Sequence, residues 1–310
     1  MEKFAIVEIG STNTKAYIYE NGELKDLGFN TIEFKSHYKK KNRIDENDKK
    51  ELFEFIKGLG IEKVYVYGTS IFRNLGDEEK STWLNEFKSE TGFDFNIVTS
   101  EEENEYTVYG AVSNVDYSGR IAVMIGGGGS TELSIVENGK IIESANSNFG
   151  AMDVTDNYPD LKTDYATSDY ETIVEKTKKI VNKPKNKADI LILAGGDYIY
   201  FYETLNYPIG KNKFYDNPLQ PYCLDIDTMD KLDKDFFYNV SLEKVCVETN
   251  NDGWWRGARG MRICVKSLVD VLDAKYIIPT RINMVYGILE EIKKRQNKWT
   301  SLLFFLFITK

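Results

Sequence analysis

The sequence predicts an α/β protein built from two duplicated domains, and two observations carry that expectation. The first is a glycine-rich stretch, Gly126-Gly127-Gly128-Gly129-Ser130-Thr131-Glu132-Leu133, between an apolar run (Ile121-Ala122-Val123-Met124-Ile125) and an alternating one (Leu133-Ser134-Ile135-Val136). The second is a repeat of this pattern near the N-terminus. There Phe4-Ala5-Ile6-Val7 leads through Glu8-Ile9-Gly10-Ser11-Thr12-Asn13-Thr14 into Lys15-Ala16-Tyr17-Ile18-Tyr19. In both places an Asn-Gly pair, Asn21-Gly22 or Asn138-Gly139, predicts a hairpin into a third strand. The repeat implies domains of residues 1–118 and 119–310, with a phosphorylated ligand held in an interdomain cleft between the two turns.

Glycines carry no Cβ, so successive N–H groups of Gly127, Gly128 and Gly129 can converge on an anion. The Ser130 and Thr131 hydroxyls add donors, and Glu132 puts a carboxylate beside the phosphate. No helix follows directly, which excludes a Walker loop and a dinucleotide fingerprint, since both need a helix N-terminus. The plain alternative is a glycine-rich hairpin with no ligand.

The remaining elements fit the duplicated plan. A helix is expected from about Glu46 to Lys57 with Asp45 as N-cap. The strand Lys63–Tyr67 then delivers Thr69 to Arg73 at its C-terminal end, where α/β sheets bind ligands. A helix near Glu78–Thr91, a strand at Phe95–Val98 and a helix from Glu101 to about Ala111 complete the first half. In the second half, helices are expected near Tyr170–Val181 and Gly257–Leu272. The strand Asp189–Leu193 ends in Ala194-Gly195-Gly196, a further candidate ligand loop. Residues 183–188 and 205–226 read as loops, the second long enough to be a lid.

The paired turns place the chain in the actin-like (ribonuclease H-like) superfamily, and within it the chain resembles the exopolyphosphatase and guanosine pentaphosphate phosphohydrolase (Ppx/GppA) family. Glu8-Ile9-Gly10-Ser11-Thr12-Asn13 is similar to the family's D-x-G-S-N-S, and Thr69-Ser70-Ile71-Phe72-Arg73-Asn74 to its T-S-x-x-R segment. Ser100-Glu101-Glu102-Glu103 with Tyr109-Gly110 resembles S-G-x-E-E-A and the Y-x-G beyond it. The stretch ending Ser130-Thr131-Glu132-Leu133 resembles D-I-G-G-G-S-T-E-L. Fainter matches lie at Asn148–Ala151, Leu193–Gly196 and Leu272–Leu289, so the likeness covers roughly residues 3 to 295. Two departures stand out. Glu8 replaces the Asp that opens the first turn. At the Asp that opens the second turn stands Ile125, or Met124 if the extra glycine is an insertion.

Water attack on a phosphoanhydride needs charge neutralisation, an oriented water, and donors around the transferred phosphoryl. The turns Ser11–Asn13 and Gly127–Thr131 are the candidate donors, so Ser11, Thr12, Asn13, Gly127, Gly128, Gly129, Ser130 and Thr131 form the expected phosphate-binding set. Arg73 is suited to pair bidentately with phosphate, a surface ion pair being its alternative. Glu102 and Glu132 are the candidate water-activating and water-orienting carboxylates. Glu103 is the register alternative for Glu102, and Glu101–Glu103 also suit an acidic helix N-terminus. Glu8 is the candidate outer-sphere ligand of Mg²⁺.

Composition narrows the partners. A net charge of −9 argues against a general nucleic-acid binder. The basic run Lys35, Lys39, Lys40, Lys41 and Arg43 reads as a solvated loop or as a polyphosphate track. His37 is the only histidine, which excludes a His-cluster metal site. Cys223, Cys246 and Cys264 lie far apart and odd in number, and read as buried free thiols in a reducing compartment. Trp254-Trp255 reads as an aromatic core or interdomain patch rather than a base platform. The entry straight into a strand at residues 2–7 lacks a signal-peptide pattern, and the apolar run Leu302–Ile308 is too short to cross a membrane and reads as a packed terminal segment or a local anomaly of this chain.

The expectation is therefore a cytoplasmic, Mg²⁺-dependent phosphohydrolase cleaving terminal phosphate from polyphosphate or guanosine pentaphosphate. No nucleic-acid or membrane partner is expected, and the family resemblance implies a homodimer. The alternative is a catalytically impaired phosphoanhydride- or nucleotide-binding sensor or scaffold, favoured by Ile125. A third reading, an ATPase or kinase, needs an adenosine pocket, at which only Gly195-Gly196 hints.

Overall fold

The computed structural model describes residues 3–11 and 13–308, with side chains to residue 296. The chain forms two compact units, Met1–Glu105 and Tyr106–Lys310, divided upstream of the boundary expected at residue 118. The first unit runs β1 (Lys3–Ile9), β2 (Asn13–Glu20), β3 (Glu23–Thr31), α1 (Phe34–Lys41), α2 (Glu46–Gly58), β4 (Val64–Gly68), a 3-10 turn at Ser70–Asn74, α3 (Asp77–Thr91) and β5 (Phe95–Ile97). Helix α4 (Ser100–Val112) contains the division. The second unit continues with β6 (Ile121–Gly126), β7 (Thr131–Glu137), β8 (Lys140–Ser144), α5 (Ala151–Asn157), α6 (Tyr170–Ile180), β9 (Ile190–Ala194) and α7 (Tyr198–Thr204). It closes with β10 (Gly210–Lys211), β11 (Tyr222–Asp225), α8 (Ile226–Tyr238), α9 (Leu242–Thr249), α10 (Asp252–Leu272), β12 (Tyr276–Pro279) and α11 (Met284–Ile308).

The duplication is visible in the sheets. The first has the order β3-β2-β1-β4-β5, and the second contains the same series, β8-β7-β6-β9-β12, extended by β11 and β10. In each, three antiparallel strands form a meander, and the first of them pairs in parallel with the strand that follows the crossover. Both Asn-Gly pairs have positive φ at both residues (56° and 87°, 51° and 71°), as a two-residue type I′ hairpin requires. Here the pattern read from sequence is the pattern found.

Strand alternation then sets the layers. Ala5, Val7 and Ile9 pack with Ala16, Val64 and Val66 against Leu52, Phe53 and Ile56 of α2 and Trp83 and Phe87 of α3. The opposite face of β1 therefore carries Glu8. In the second unit, Ala122 and Met124 face the core built on α6, α8 and α10, while Ile121, Val123 and Ile125 face Val108 and Ala111 of α4. Trp255 lies fully inside the first of these cores, against Phe201 and Phe236, so the Trp pair is a core feature. All three cysteines are buried and free.

Two expectations are corrected. The basic run is not a loop, because Lys35 to Lys41 lie on α1. Residues 205–226 are not all loop, because β11 pairs antiparallel with β12 and supports β10. Helix α11 runs on through the apolar stretch to Ile308, and whether that stretch is packed falls on side chains outside the described ones. No helix among the described residues is long and apolar enough to cross a membrane.

Helix α10 is locked in by charge as well as by packing. Arg262 donates from Nε and Nη2 to the two oxygens of Asp233 on α8, at 2.6 and 3.2 Å, with both side chains buried. Removing one partner strands the other charge in the core. Asp233→Asn or Arg262→Met alone is expected to cost about 3–5 kcal/mol of stability, and the double change Asp233→Leu with Arg262→Met less than either. Urea unfolding followed by tryptophan fluorescence checks this.

Candidate functional site

The two turns are built alike, bond for bond. Gly10 N–H donates to Asn13 O, and Gly127 N–H donates to Ser130 O, each at 2.9 Å. Behind each turn lies the helix that follows its meander. Lys35 N–H on α1 donates to Ser11 O at 3.0 Å, and Met152 N–H on α5 donates to Gly128 O at 2.7 Å. Across the turns Ile9 pairs with Thr14, and Gly126 with Thr131. This register makes Ile125 the counterpart of Glu8 and Glu132 the counterpart of Lys15.

In the first unit, the turn also bonds to the end of β4. Ser11 Oγ donates to Ser70 Oγ at 2.5 Å, and Thr69 N–H donates to Ile9 O at 2.9 Å. Ser70 has a φ of 45°, an uncommon conformation for a residue with a Cβ. Gly68 precedes this bend because a Cβ there would come within 2.3 Å of the Phe95 ring. The bend leads into the 3-10 turn bearing Arg73, whose Nη1 donates to Glu103 Oε2 at 2.5 Å and to Val98 O at 3.4 Å. Arg73 is thus half-buried and paired.

Glu8 is the most unusual group here. Its Oε2 is shielded from solvent and has no hydrogen-bond partner among the described residues. Burial raises its pKa above the ordinary carboxylate value; Lys15, its cross-strand partner, pulls it down, and the Glu103 charge pushes it further up. An orphaned carboxylate oxygen beside a second carboxylate suits Mg²⁺, which takes one or two carboxylates and completes its shell with water and phosphate oxygens. No cluster of three or more metal-ligating side chains occurs among the described residues, so a closed, all-protein metal cage is not what this site offers.

Several of the expected site residues have their polar groups committed within the protein. Glu102 caps its own helix: its Oε2 accepts Thr99 N–H at 2.7 Å, while its N–H donates to Thr99 Oγ1 at 3.1 Å. Thr99-Ser100-Glu101-Glu102 is a capping box, a signal present in the sequence that separates Glu102 from Glu103. One residue along α4, Glu103 pairs with Arg73, and its charge acts on Glu8. Thr131 opens β7 with its side chain inward, its hydroxyl donating to Phe149 O and its N–H to Ser147 O, each at 2.9 Å. Neither group is left for a phosphate. Asn13 Oδ1 accepts from Thr31 at 3.3 Å, and Thr12 lies outside the described residues. Lys15, the cross-strand partner of Glu8, was not expected as a site residue, because strand pairing and not sequence places it there.

In the second unit the turn is open. None of the backbone bonds formed outside helices and strands is donated by Gly128, Gly129 or Ser130. Gly127 O and Gly128 O instead accept from Ala151 and Met152, at 3.0 and 2.7 Å, so the turn's carbonyls are committed and its N–H groups are not. This close approach needs Gly150, where a Cβ would come within 2.4 Å of Gly127 O. Ile125 takes the place of an acid by packing over Gly195, whose added Cβ would lie 2.6 Å from Ile125 Cγ2. Beneath the turn, the Tyr198 hydroxyl lies near Gly126 and Glu132, and burial raises its pKa.

The Ppx/GppA phosphatase family model matches residues 34–206, more than half of the sequence, and the chain belongs to that family. Among solved structures, it is similar to the type II variant of the Aquifex aeolicus Ppx/GppA phosphatase, with a TM-score of 0.73 at 18% identity, over 93% of this chain and 98% of that one. It is also similar to an exopolyphosphatase from Cytophaga hutchinsonii, with a TM-score of 0.66 at 15% identity, over 94% of this chain and 97% of that one. At such identities these likenesses establish the fold. No curated protein sequence matches the chain.

The raised pKa of Glu8 has a direct consequence. A carboxyl that holds its proton more tightly when folded costs stability as pH rises from the ordinary carboxylate range, until the raised value is passed. Glu8→Gln is therefore expected to match the wild type below about pH 4. At pH 7 it should be more stable by about 1–3 kcal/mol, the usual cost of an unsatisfied buried group. Urea unfolding at the two pH values without divalent ions checks this.

Proposed function

We propose that this phosphatase-family chain removes terminal phosphate from a phosphoanhydride, polyphosphate or guanosine pentaphosphate, by metal-assisted water attack. The observation that carries the reading is the solvent-shielded, unpartnered Glu8 Oε2 under the charge of Glu103, which itself pairs with Arg73. Glu8 would hold Mg²⁺, which when bound neutralises phosphate charge and orients water.

The chain's own residues do the rest. In the second unit, the N–H groups of Gly128, Gly129 and Ser130, which no described carbonyl takes up, are suited to donate to phosphate oxygens. Arg73 leaves Glu103 for the incoming phosphate, which is the stronger partner for a planar guanidinium. Glu103, released from that pair, accepts the proton of the attacking water, while Lys15 balances the Glu8 carboxylate. Glu132 is the second candidate for orienting water, and a homodimer is part of the reading.

Ile125 favours a second reading, a phosphoanhydride-binding protein without turnover, because the second unit lacks an acid on β6. Phosphate release from polyphosphate and from guanosine pentaphosphate, with and without Mg²⁺, separates the two. Glu103→Gln is expected to lower turnover about 10²–10⁴-fold while keeping ligand binding. Glu102→Gln should leave turnover alone and keep the cap, since glutamine serves the same box. A chain that binds these compounds, releases no phosphate and stays inert after Ile125→Asp is a binding protein.

A further inference from the structure

Helix α3 turns Trp83 and Phe87 into the core of the first unit, and the same helical period sets Lys80 and Leu84, one turn apart, side by side. Gly76 and Leu84 stand four residues before and after Lys80, so no carboxylate occupies the places from which a helix best pairs a lysine. The adjacent Glu79 is spent elsewhere, accepting from the Tyr38 hydroxyl at 3.2 Å and from Ile44 N–H at 3.1 Å. Lys80 is half-buried and has no ion-pair or hydrogen-bond partner among the described residues.

Lys80 lines a cavity of about 400 Å³ between α3, the end of β5 and the start of α4. Arg73 lines it as well. Its Nη1 is taken by Glu103 and Val98 O, whereas its Nε and Nη2 make no hydrogen bond among the described residues. Ser100 adds a hydroxyl, also without a partner there, and Leu84, Ile97 and Val98 supply an apolar wall. No acidic side chain lines the cavity, in a chain whose net charge is −9. A second cavity, about 810 Å³ along α8, is lined by Asp227, Asp230 and Asp235 as well as by Lys231 and Lys234, and shows no such bias.

Two cations facing one recess repel each other, and an anion between them relieves that repulsion. We propose that this cavity binds a small amphipathic oxyanion, a carboxylate or a phosphate ester, with its head between Arg73 and Lys80 and a compact apolar body against Leu84, Ile97 and Val98. The volume is that of an ordinary small-molecule pocket. The site is separate from the phosphate-type turn: Gly10–Asn13 and Glu8 belong to β1 and β2, whereas the cavity lies at β5, the edge of the same sheet. An inorganic polyanion has no apolar body and would gain nothing from the wall. With no carboxylate to activate water, the cavity binds its occupant and does not react with it.

The test is isothermal titration calorimetry of the full chain with phenylphosphonate, methylphosphonate and benzoate. Phenylphosphonate is expected to bind about tenfold more tightly than methylphosphonate, since only the ring reaches the wall. Lys80→Met should weaken phenylphosphonate by roughly tenfold, while Lys80→Arg keeps its affinity. Leu84→Ala should weaken phenylphosphonate and leave methylphosphonate unchanged, and Glu8→Gln should change neither. Benzoate separates the two kinds of head: whichever of the ring compounds binds, its loss in Lys80→Met supports the site. Equal affinity in wild type and Lys80→Met would overturn the proposal, as would equal affinity for the two phosphonates. Loss of binding in Glu8→Gln would place the probe at the turn and overturn it too, and so would the absence of binding by both ring compounds at millimolar concentration.

Discussion

Each phosphate-type turn is held from behind by the N-terminus of the helix that follows its hairpin, and the rest of the candidate site depends on that bond. The first N–H groups of a helix have no partner within it. Here Lys35 and Met152 spend theirs on the carbonyls of Ser11 and Gly128. With carbonyls tied down on one side, the peptide N–H groups of the second turn are left without protein acceptors. The cost appears at Gly150, the one place where helix and turn approach too closely for any side chain. The helix end thus takes up the turn's carbonyls, and in the proposed chemistry the turn, not the helix, presents donors to an anion.

The duplicated units share this scaffold but have exchanged their charges. In the first unit, the strand before the turn carries an acid, Glu8, and the strand after it a cation, Lys15. In the second unit, the corresponding pair is Ile125 and Glu132, so the only carboxylate of the pair sits one strand over. An apolar residue at Ile125 is what the packing over Gly195 accommodates. An acid at Glu8 is tolerated because its charge has Lys15 opposite, although burial and Glu103 still disfavour ionisation. The strained electrostatics are thus concentrated in one unit, where Glu8, Glu103, Lys15 and Arg73 meet.

Much of this was legible in the sequence, and the misses have physical causes. The meanders, the Asn-Gly turns, the Asp45 cap and the strand delivering Arg73 followed from period-two alternation and turn chemistry, both local signals. Helix α1 was missed because it has none of the usual signs: Glu33 makes no side-chain cap, and lysines dominate its surface. Its stability comes from tertiary contacts, through Phe34 and the bond to Ser11, which no window of sequence reveals. Strand β11 was hidden for the same reason, since four residues of strand acquire meaning only beside β12. Thr131 was misjudged because hydroxyl chemistry was read without strand phase, which turns its side chain inward.

Helix phase explains the remaining difference, between two adjacent glutamates. Successive residues on an α-helix point about 100° apart. Glu102 is fixed at the helix start by its reciprocal bonds with Thr99, and this places Glu103 toward Arg73 rather than solvent alone. The cap therefore does more than satisfy an orphan donor, because it sets the rotation at which α4 presents its next carboxylate. In the proposed chemistry this matters twice. An arginine paired with the base keeps that base neutralised while no phosphate is present. The same pair must break when phosphate arrives, because a guanidinium oriented by a strand end and a 3-10 turn can serve only one planar anion fully at a time. Binding and base release are then a single event, and Arg73 gives up one partner to take the other.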